Sequence, residues 1–325
     1  MRWLVGACLA LLICGLLTGC ESTKAPEATT TDPVVSAHPK PQTNPRATRA
    51  DPAKPCGPKI HRPGGRAWRC TFADNFDGTS LDGDKWLELA SYWSGLGGPD
   101  DCYFDDGHNV RVANGKLRLI TRRLPQPRAC AQAEGGKASY TGVMINTVHR
   151  FSQERGRFEF RARFPQTKLA DQARPGIQGS LWMWPVDDRK YGPWPLSGEI
   201  DIAEFYSAFP DRIIPFLHYD METRKDLLAT FAKPPQETNN HCLIAAPDGD
   251  FHTYTLEWSK QIMHIYYDGI TCMKTPWLAK QGGRAPFDQP FILAIGFGTG
   301  KYDNAVTKDT PMPAHLDVDY VRVWQ

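Results

Sequence analysis

The sequence has almost no excess of one charge, with a formal net charge of +2 at pH 7 over 325 residues. Such a balance gives no reason to expect nucleic acid as a partner. No Cys-x-x-Cys pair and no compact cluster of cysteine and histidine appears, which disfavours a structural zinc site. After the N-terminal apolar run, no segment is apolar for long enough to span a bilayer. Amphipathic helices are scarce too, and the best short candidate covers residues 222–231.

What the chain does have is alternation of apolar and polar residues. Residues 157–164 alternate without a break, so aromatic and small apolar residues share one face and charged residues the other. The same pattern predicts a hairpin from 251–258 and 263–269, and further strands over 116–122 and 316–324. Short strands separated by Gly, Pro, Asn and Asp indicate an all-β sandwich or barrel.

The first 19 residues predict an export signal, with Arg2 before an apolar run that ends in small residues. The sequence from Leu17 to Cys20 resembles the bacterial lipobox, which implies cleavage before Cys20 and a lipid on its thiol. The alternatives are an ordinary cleaved signal peptide or an uncleaved anchor. We therefore expect an exported protein, anchored by lipid to the outer face of the cytoplasmic membrane or elsewhere in the cell envelope.

Residues 20–55 are rich in Pro and Thr and poor in large apolar side chains, which predicts a disordered tether ahead of a domain over 56–325. The domain contains six cysteines, an even number that suggests disulfides in an exported protein. Of the possible connectivities we favour nearest neighbours: Cys56–Cys70, Cys102–Cys130 and Cys242–Cys272.

One predicted strand carries three carboxylates within six residues, Glu199, Asp201 and Glu204. In a regular strand Glu204 would face away from the other two. A single β-bulge near Ile202 and Ala203 would return it to their face. Because like charges at such short distances repel one another, one of the three acids should retain its proton at neutral pH. A carboxylate beside a carboxylic acid is what cleavage of a glycosidic bond with retention requires. The alternative is a solvated acidic strand edge.

The acidic strand and its flanks resemble glycoside hydrolase family 16, in the bulged form found in laminarinases, which are endo-β-1,3-glucanases. The similarity covers roughly residues 70–325 in family order. The matching segments are residues 75–78 with Leu81, Asp82 and Trp86, residues 109–117, 156–163, 180–185, 194–198, 199–204, 218–219, 251–269 and 318–323.

This resemblance implies an all-β jelly-roll sandwich of two curved antiparallel sheets, concanavalin A-like, with a sugar cleft on the concave face. It assigns Glu199 as nucleophile, Glu204 as acid/base and Asp201 as the residue that tunes the nucleophile. No cofactor is expected for catalysis, the partner is a polysaccharide, and a monomer is expected. β-1,3-Glucan is the first substrate choice. A galactan, an envelope polysaccharide, transglycosylation or carbohydrate binding without catalysis are the alternatives.

Four further residues are candidates by the same resemblance. Trp194 is a candidate platform for a sugar ring, and Trp182 faces either the cleft or the core. His218 matches a family histidine near the catalytic acids, with a structural role as the alternative. Asp319 matches a position that binds a structural calcium in several relatives, although calcium prefers six or more oxygen ligands.

The chain also departs from the family pattern. Ala203 stands where many β-1,3-glucanases have Met, and residues 291–298 have Gly where relatives often place an Asn in the cleft. The loop over 93–102 and the segment between Cys102 and Cys130 carry no recognisable family motif. These loops rim the cleft by family analogy, so they bear on the choice of substrate rather than on the reaction.

Overall fold

The computed structural model describes residues 51, 53–62, 64–166, 174–219, 236–239, 241–245, 247–277 and 286–325. The predicted signal segment, Cys20, nearly all of the predicted tether and the helix candidate at 222–231 lie outside the described residues. In the described part, no helix is long and apolar enough to cross a membrane.

The described chain is built almost wholly of β-strands, as the alternation predicts. One short α-helix, α1, covers Ser91–Ser94, and two 3₁₀ turns cover Glu134–Gly136 and Tyr302–Asn304. The strands, numbered in chain order, are β1 Cys70–Asp74, β2 Leu87–Glu88, β3 Asp101–Tyr103, β4 Val110–Val112, β5 Leu117–Ala129, β6 Lys137–Asn146, β7 Gly156–Arg163, β8 Ile177–Pro185, β9 Glu199–Tyr206, β10 Ile214–His218, β11 Gln236–Thr238, β12 His252–Trp258, β13 Ile262–Tyr267, β14 Ile270–Pro276, β15 Phe291–Thr299 and β16 Ala314–Trp324.

The strands form two layers that join through one pair of strands. The front layer has the order β11-β10-β9-β8-β15-β6, and the back layer has the order β5-β16-β7-β12-β13-β14. β5 and β6 pair with each other, so the two layers are one nearly closed antiparallel sheet. Of the four short strands outside this order, β3 pairs in parallel with β6. The expected jelly-roll sandwich is confirmed.

The core lies between the layers and follows from the alternation. Phe158 and Phe160 of β7 are fully buried, whereas the charged residues between them face outward. Ile200 and Ile202 of β9 meet them from the front layer. Burying such a side chain contributes about 1.5–3 kcal/mol relative to leaving it exposed. The front layer is therefore held rigidly from behind, and its outer face is left for polar side chains.

All three predicted disulfides are present: Cys56–Cys70, Cys102–Cys130 and Cys242–Cys272. Nearest-neighbour pairing is therefore confirmed. The second bridge connects β3 to the end of β5, and β3 lies against β6 at one end of the front layer. It ties down the loop that carries α1, which overlaps one of the two segments without a recognisable family motif.

Candidate active site

The acidic strand β9 contains the predicted bulge. Ala203 of β9 lies opposite Leu181 of β8. Asp201 lies opposite Trp182, the next residue of β8, so Ile202 of β9 has no partner of its own. The pairing of β9 with β10 on its other side shifts over the same stretch. Both neighbouring strands thus place the extra residue where the spacing of the carboxylates predicts it.

The bulge brings the three carboxylates to one side of the front layer. Glu199, Asp201 and Glu204 line the same cleft, which has a volume of about 220 Å³. Ile200 and Ile202 are fully buried behind them. The prediction that Glu204 returns to the face of the other two acids is confirmed.

A tyrosine from the back layer holds the bulge in place. The carbonyl of Ile202 belongs to the extra residue of the bulge, which the strand register leaves without a partner residue on β8. The hydroxyl of Tyr267, on β13, donates a hydrogen bond to this carbonyl over 2.9 Å. Tyr267 is fully buried. Since a buried carbonyl without a partner is costly, this contact across the core stabilises the conformation on which the position of Glu204 depends.

Replacing Tyr267 by phenylalanine is expected to lower kcat by about ten- to a hundredfold while KM changes less than twofold. The variant leaves the Ile202 carbonyl buried and unsatisfied, so the free energy of unfolding should also fall by about 1–3 kcal/mol. The matched control is Tyr254→Phe, in the ring that packs edge-on against Tyr267 at 5.1 Å. Steady-state kinetics would contradict the positioning role if both variants lost kcat equally.

Glu199 sits between an indole and a second acid. The indole N–H of Trp194 donates to the Glu199 carboxylate over 2.5 Å. His218 lies opposite Glu199 on β10, and its Nε2 is 3.1 Å from Oδ2 of Asp201. One ligand atom from each of Glu199, Asp201 and His218 falls within 4.8 Å of the others. Trp194 is half exposed, and its ring lies 5.4 Å from the ring of His218. The predicted site residues Trp194 and His218 therefore both lie at the acidic centre.

Burial dominates the electrostatics of the three acids. It raises the pKa of Glu199 to about 9, with the charge of Asp201 adding to it, while His218 and the Trp194 N–H act in the opposite direction. Burial also raises the pKa of Asp201, and the charge of Glu204 raises it further. The pKa of Glu204 is raised by burial too. Burial therefore favours the protonated forms of these groups, which helps to keep an acid available in the cleft.

Two donors to Glu204 were missed by the sequence analysis. The hydroxyl of Tyr206 donates to Glu204 over 2.6 Å, and the side-chain amide of Gln178 donates over 3.2 Å. Tyr206 follows Glu204 by two residues on the same strand, so alternation alone could have found it. Gln178 lies on β8, and only the strand register places it there.

The Tyr206 hydroxyl stabilises the ionised form of Glu204 and so lowers the pKa of Glu204. In Tyr206→Phe this pKa should rise, Glu204 should keep its proton to higher pH, and the alkaline limb of the kcat/KM profile should move upward. Tyr320→Phe is the matched control, because its hydroxyl donates to Glu159 of the back layer over 2.8 Å. An unshifted alkaline limb in Tyr206→Phe, measured beside that control, would contradict the role of Glu204 as the acid.

A fourth acid closes one end of the cleft. Asp101 is 2 % exposed and accepts hydrogen bonds from the N–H and hydroxyl of Thr299 and from the N–H of Gly98. A side chain at Gly298 would overlap the Asp101 carboxylate. Gly298, one of the two glycines within residues 291–298, is therefore required by this carboxylate, which pins the rim loop to β15.

The two remaining predicted residues lie far apart. Trp182 lines the cleft rather than the core, packs edge-on against Trp184 and has a buried indole nitrogen without a partner. Asp319 is on β16 of the back layer, where its carboxylate pairs with Arg161 at 2.6 Å. The calcium site at Asp319 stays a prediction. The carboxylate that would bind the calcium is ion-paired with Arg161. In the described part of the chain, the carboxylate–histidine group that could hold a metal is the acidic centre itself.

Comparison with known proteins places this cleft in context. The family described as Glycosyl hydrolases family 16 matches residues 101–322. The chain is 30% identical over 271 residues to a beta-glucanase of Rhodothermus marinus, covering 79% of this chain and 85% of that protein. It is 29% identical over 275 residues to glucan endo-1,3-beta-glucosidase A1 of Niallia circulans, covering 78% of this chain and 37% of that longer protein.

A more distant relative has a different substrate in its name. The keratan-sulfate endo-1,4-beta-galactosidase of Sphingobacterium multivorum is 26% identical over 199 residues, covering 60% of this chain and 42% of that protein. Among solved structures, the laminarinase from Rhodothermus marinus superposes with a TM-score of 0.64 at 28% identity, covering 79% of this chain and 97% of that one. The laminarinase catalytic domain from Thermotoga maritima gives a TM-score of 0.63 at 24% identity, covering 79% and 98%, and supports the fold.

Proposed function

Since the chain belongs to glycosyl hydrolase family 16, we propose that its substrate is a β-1,3-glucan, which it cleaves at internal bonds by a retaining mechanism. Family membership makes it a glycoside hydrolase. The choice of glucan is supported by the names of the relatives from Rhodothermus marinus and Niallia circulans. The single observation that carries the mechanism is the bulge in β9, which puts Glu199 and Glu204 on one face of the cleft.

The chemistry proceeds in two displacements. The Glu199 carboxylate attacks the anomeric carbon while Glu204 gives its proton to the departing glycosidic oxygen, so the leaving chain departs as an alcohol. The ionised Glu204 then takes a proton from water, which attacks the same carbon and releases Glu199. Two inversions retain the β configuration. No cofactor takes part in either step.

The protonation of Asp201 determines whether Glu199 is ionised and can attack the anomeric carbon. Their carboxyl groups are adjacent and buried, so a proton held by the pair must sit on Asp201 when substrate binds. The charge that His218 offers and the Trp194 N–H both favour the ionised form of Glu199. Trp194 thus has two functions in this proposal: its N–H orients the nucleophile, and its half-exposed ring stacks against the sugar beside the scissile bond.

A galactan or envelope polysaccharide is the second candidate. It is favoured by the keratan-sulfate endo-1,4-beta-galactosidase relative and by the rim loop pinned by Asp101, which departs from the family pattern. A transglycosylase would use the same two carboxylates, with a sugar hydroxyl in place of water. Carbohydrate binding without catalysis would give Glu199 and Glu204 no reason to share one face.

A polysaccharide panel tests the proposal. Laminarin, mixed-linkage glucan, agarose and isolated envelope glycans are incubated with the protein and with Glu199→Gln, and the products are separated by size. We expect intermediate-length oligosaccharides from laminarin and none with the variant. Cleavage confined to agarose or to an envelope glycan would replace the glucan assignment, and products longer than the substrate would indicate transglycosylation. Binding without cleavage of any polymer would overturn hydrolysis.

We propose in addition that the protein is exported and anchored through a lipid on Cys20, with residues 21–55 as a spacer. Support comes from the lipobox-like sequence and from three disulfides, which persist in oxidising compartments. Metabolic labelling with a fatty acid and membrane fractionation test this. Cys20→Ala should lose the label and leave the membrane fraction, and retention of both would contradict the anchor.

A further inference from the structure

The outer face of the back layer carries a second cavity, remote from the acidic strand β9. It has a volume of about 690 Å³, which is within the range of about 300–1,000 Å³ typical of ligand sites. β4, β5 and β16 form it. Its charged and titratable lining residues are His108, Arg111, Lys116, Arg118, Arg122 and His315. Among the described residues, no carboxylate lines it. We call this cavity the basic groove.

The strand register places like charges side by side in the basic groove. Arg111 of β4 lies directly opposite Arg118 of β5, an arrangement that destabilises a sheet. The nearest carboxylate, Asp317 of β16, is shared by three cations: Arg118 at 2.6 Å, Arg163 at 2.5 Å and Lys116 at 3.7 Å. One buried carboxylate cannot neutralise three cations, so positive charge remains at this surface.

Two arginines lie beyond the reach of Asp317. Arg111 is exposed, and no carboxylate of the described chain pairs with it. Arg122 is 3.9 Å from Asp106, but that carboxylate already binds Arg128 at 2.8 Å. The groove therefore presents guanidinium groups whose donors are free for a ligand, and guanidinium groups suit the geometry of carboxylate, sulfate and phosphate oxygens.

A histidine lies between these cations. His315 of β16 is opposite Ile120 of β5, and its Nδ1 is buried without a hydrogen-bond partner. Burial lowers the pKa of His315, and Arg118 and Arg111 lower it further. The fold thus maintains an unpaired polar atom and an incompletely neutralised cluster of cations in one place, an arrangement that an anionic ligand would stabilise.

We propose that the basic groove binds the sulfate or carboxylate groups of an acidic polysaccharide. This rests on the proposed function only in taking the partner to be a polysaccharide, and it does not require the cleft to be active. A membrane surface is less suitable, because peripheral membrane binding needs apolar side chains that insert beside the charges. None of the groove residues is among the exposed large apolar side chains, and Ile120 is buried.

Dextran sulfate and neutral dextran test the proposal, since neither has β linkages for the cleft to cut. Binding is measured by affinity electrophoresis and calorimetry at one fixed salt concentration. The protein should bind dextran sulfate and not dextran. Arg111→Gln combined with Arg122→Gln should weaken binding at least tenfold. The control is Arg66→Gln combined with Lys260→Gln, which removes the same charge from exposed positions outside the groove and should change binding less than twofold.

The outcomes separate this inference from the proposed function. Both double variants should cleave laminarin as the unmodified protein does. If both double variants lost dextran sulfate binding equally, binding would depend on net charge alone, and the proposal of a binding site in the basic groove would be wrong. Stronger binding to vesicles of anionic lipid than to dextran sulfate would assign the surface to a membrane instead. If no polymer of the panel is cleaved but dextran sulfate binding still depends on Arg111 and Arg122, the proposed function fails and the groove stands.

Discussion

Replacing Glu199 by glutamine is expected to lower kcat/KM on the polymer by about 10⁴-fold or more, because the variant has no carboxylate to attack the anomeric carbon. The amide oxygen can still accept the Trp194 indole N–H, so the cleft keeps its shape. Binding of the oligosaccharide and the thermal midpoint should therefore remain close to those of the unmodified protein. Product release from laminarin, compared with calorimetric binding, measures the two effects separately.

The nucleophile can also be identified by the stereochemistry of rescue. Glu199→Ala opens space on the face from which the carboxylate attacks. Azide that enters there displaces an activated aryl leaving group once, so the product should be the α-glycosyl azide. The matched control is Asp201→Ala, which removes an adjacent buried acid and should yield no glycosyl azide. A β-azide from Glu199→Ala would assign the nucleophile to another residue.

The acidic centre was predictable to a large extent because its pattern is local. The three carboxylates, spread over six residues, can share one face of a strand only if the strand contains one extra residue. The strand pairing shows that this extra residue is Ile202. The strands were predictable for the same reason, since alternation over 157–164 corresponds to the buried face of β7. Disulfide pairing followed from proximity in sequence. The family resemblance, not spacing, separated the roles of Glu199 and Glu204.

The contacts that hold the centre were not predictable, because each crosses a large distance in sequence. Tyr267 reaches Ile202 from the other layer over 65 residues. Asp101 reaches Thr299 over 198 residues. A single sequence shows neither the register nor the packing that brings such pairs together. The same holds for the basic groove. The sequence shows the arginines of β5, but only the pairing of β5 with β4 and β16 shows that few carboxylates lie close enough to neutralise them.

Replacing Glu204 by alanine is expected to lower kcat on the polymer by about 10²–10⁴-fold, since general acid catalysis contributes that much when the leaving group is a sugar alcohol. On an aryl β-glycoside with an acidic phenol, the phenolate can leave without being protonated. Formation of the glycosyl-enzyme, the first step, should therefore be nearly unchanged in the variant. The second step still lacks its base. A burst of phenol followed by slow turnover, with a low KM, is therefore the expected signature.

The same variant should respond to azide in the opposite stereochemical sense to Glu199→Ala. Azide needs no base and attacks the covalent intermediate on Glu199, so turnover should recover and the product should be the β-glycosyl azide. Tyr206→Phe serves as the control, because it removes a hydrogen bond to the acid but leaves the acid in place, and it should show neither burst nor rescue. An α-glycosyl azide from Glu204→Ala would instead assign Glu204 as the nucleophile and Glu199 as the acid/base. If neither residue gave an azide product, Glu199 and Glu204 would share a face without forming a catalytic pair.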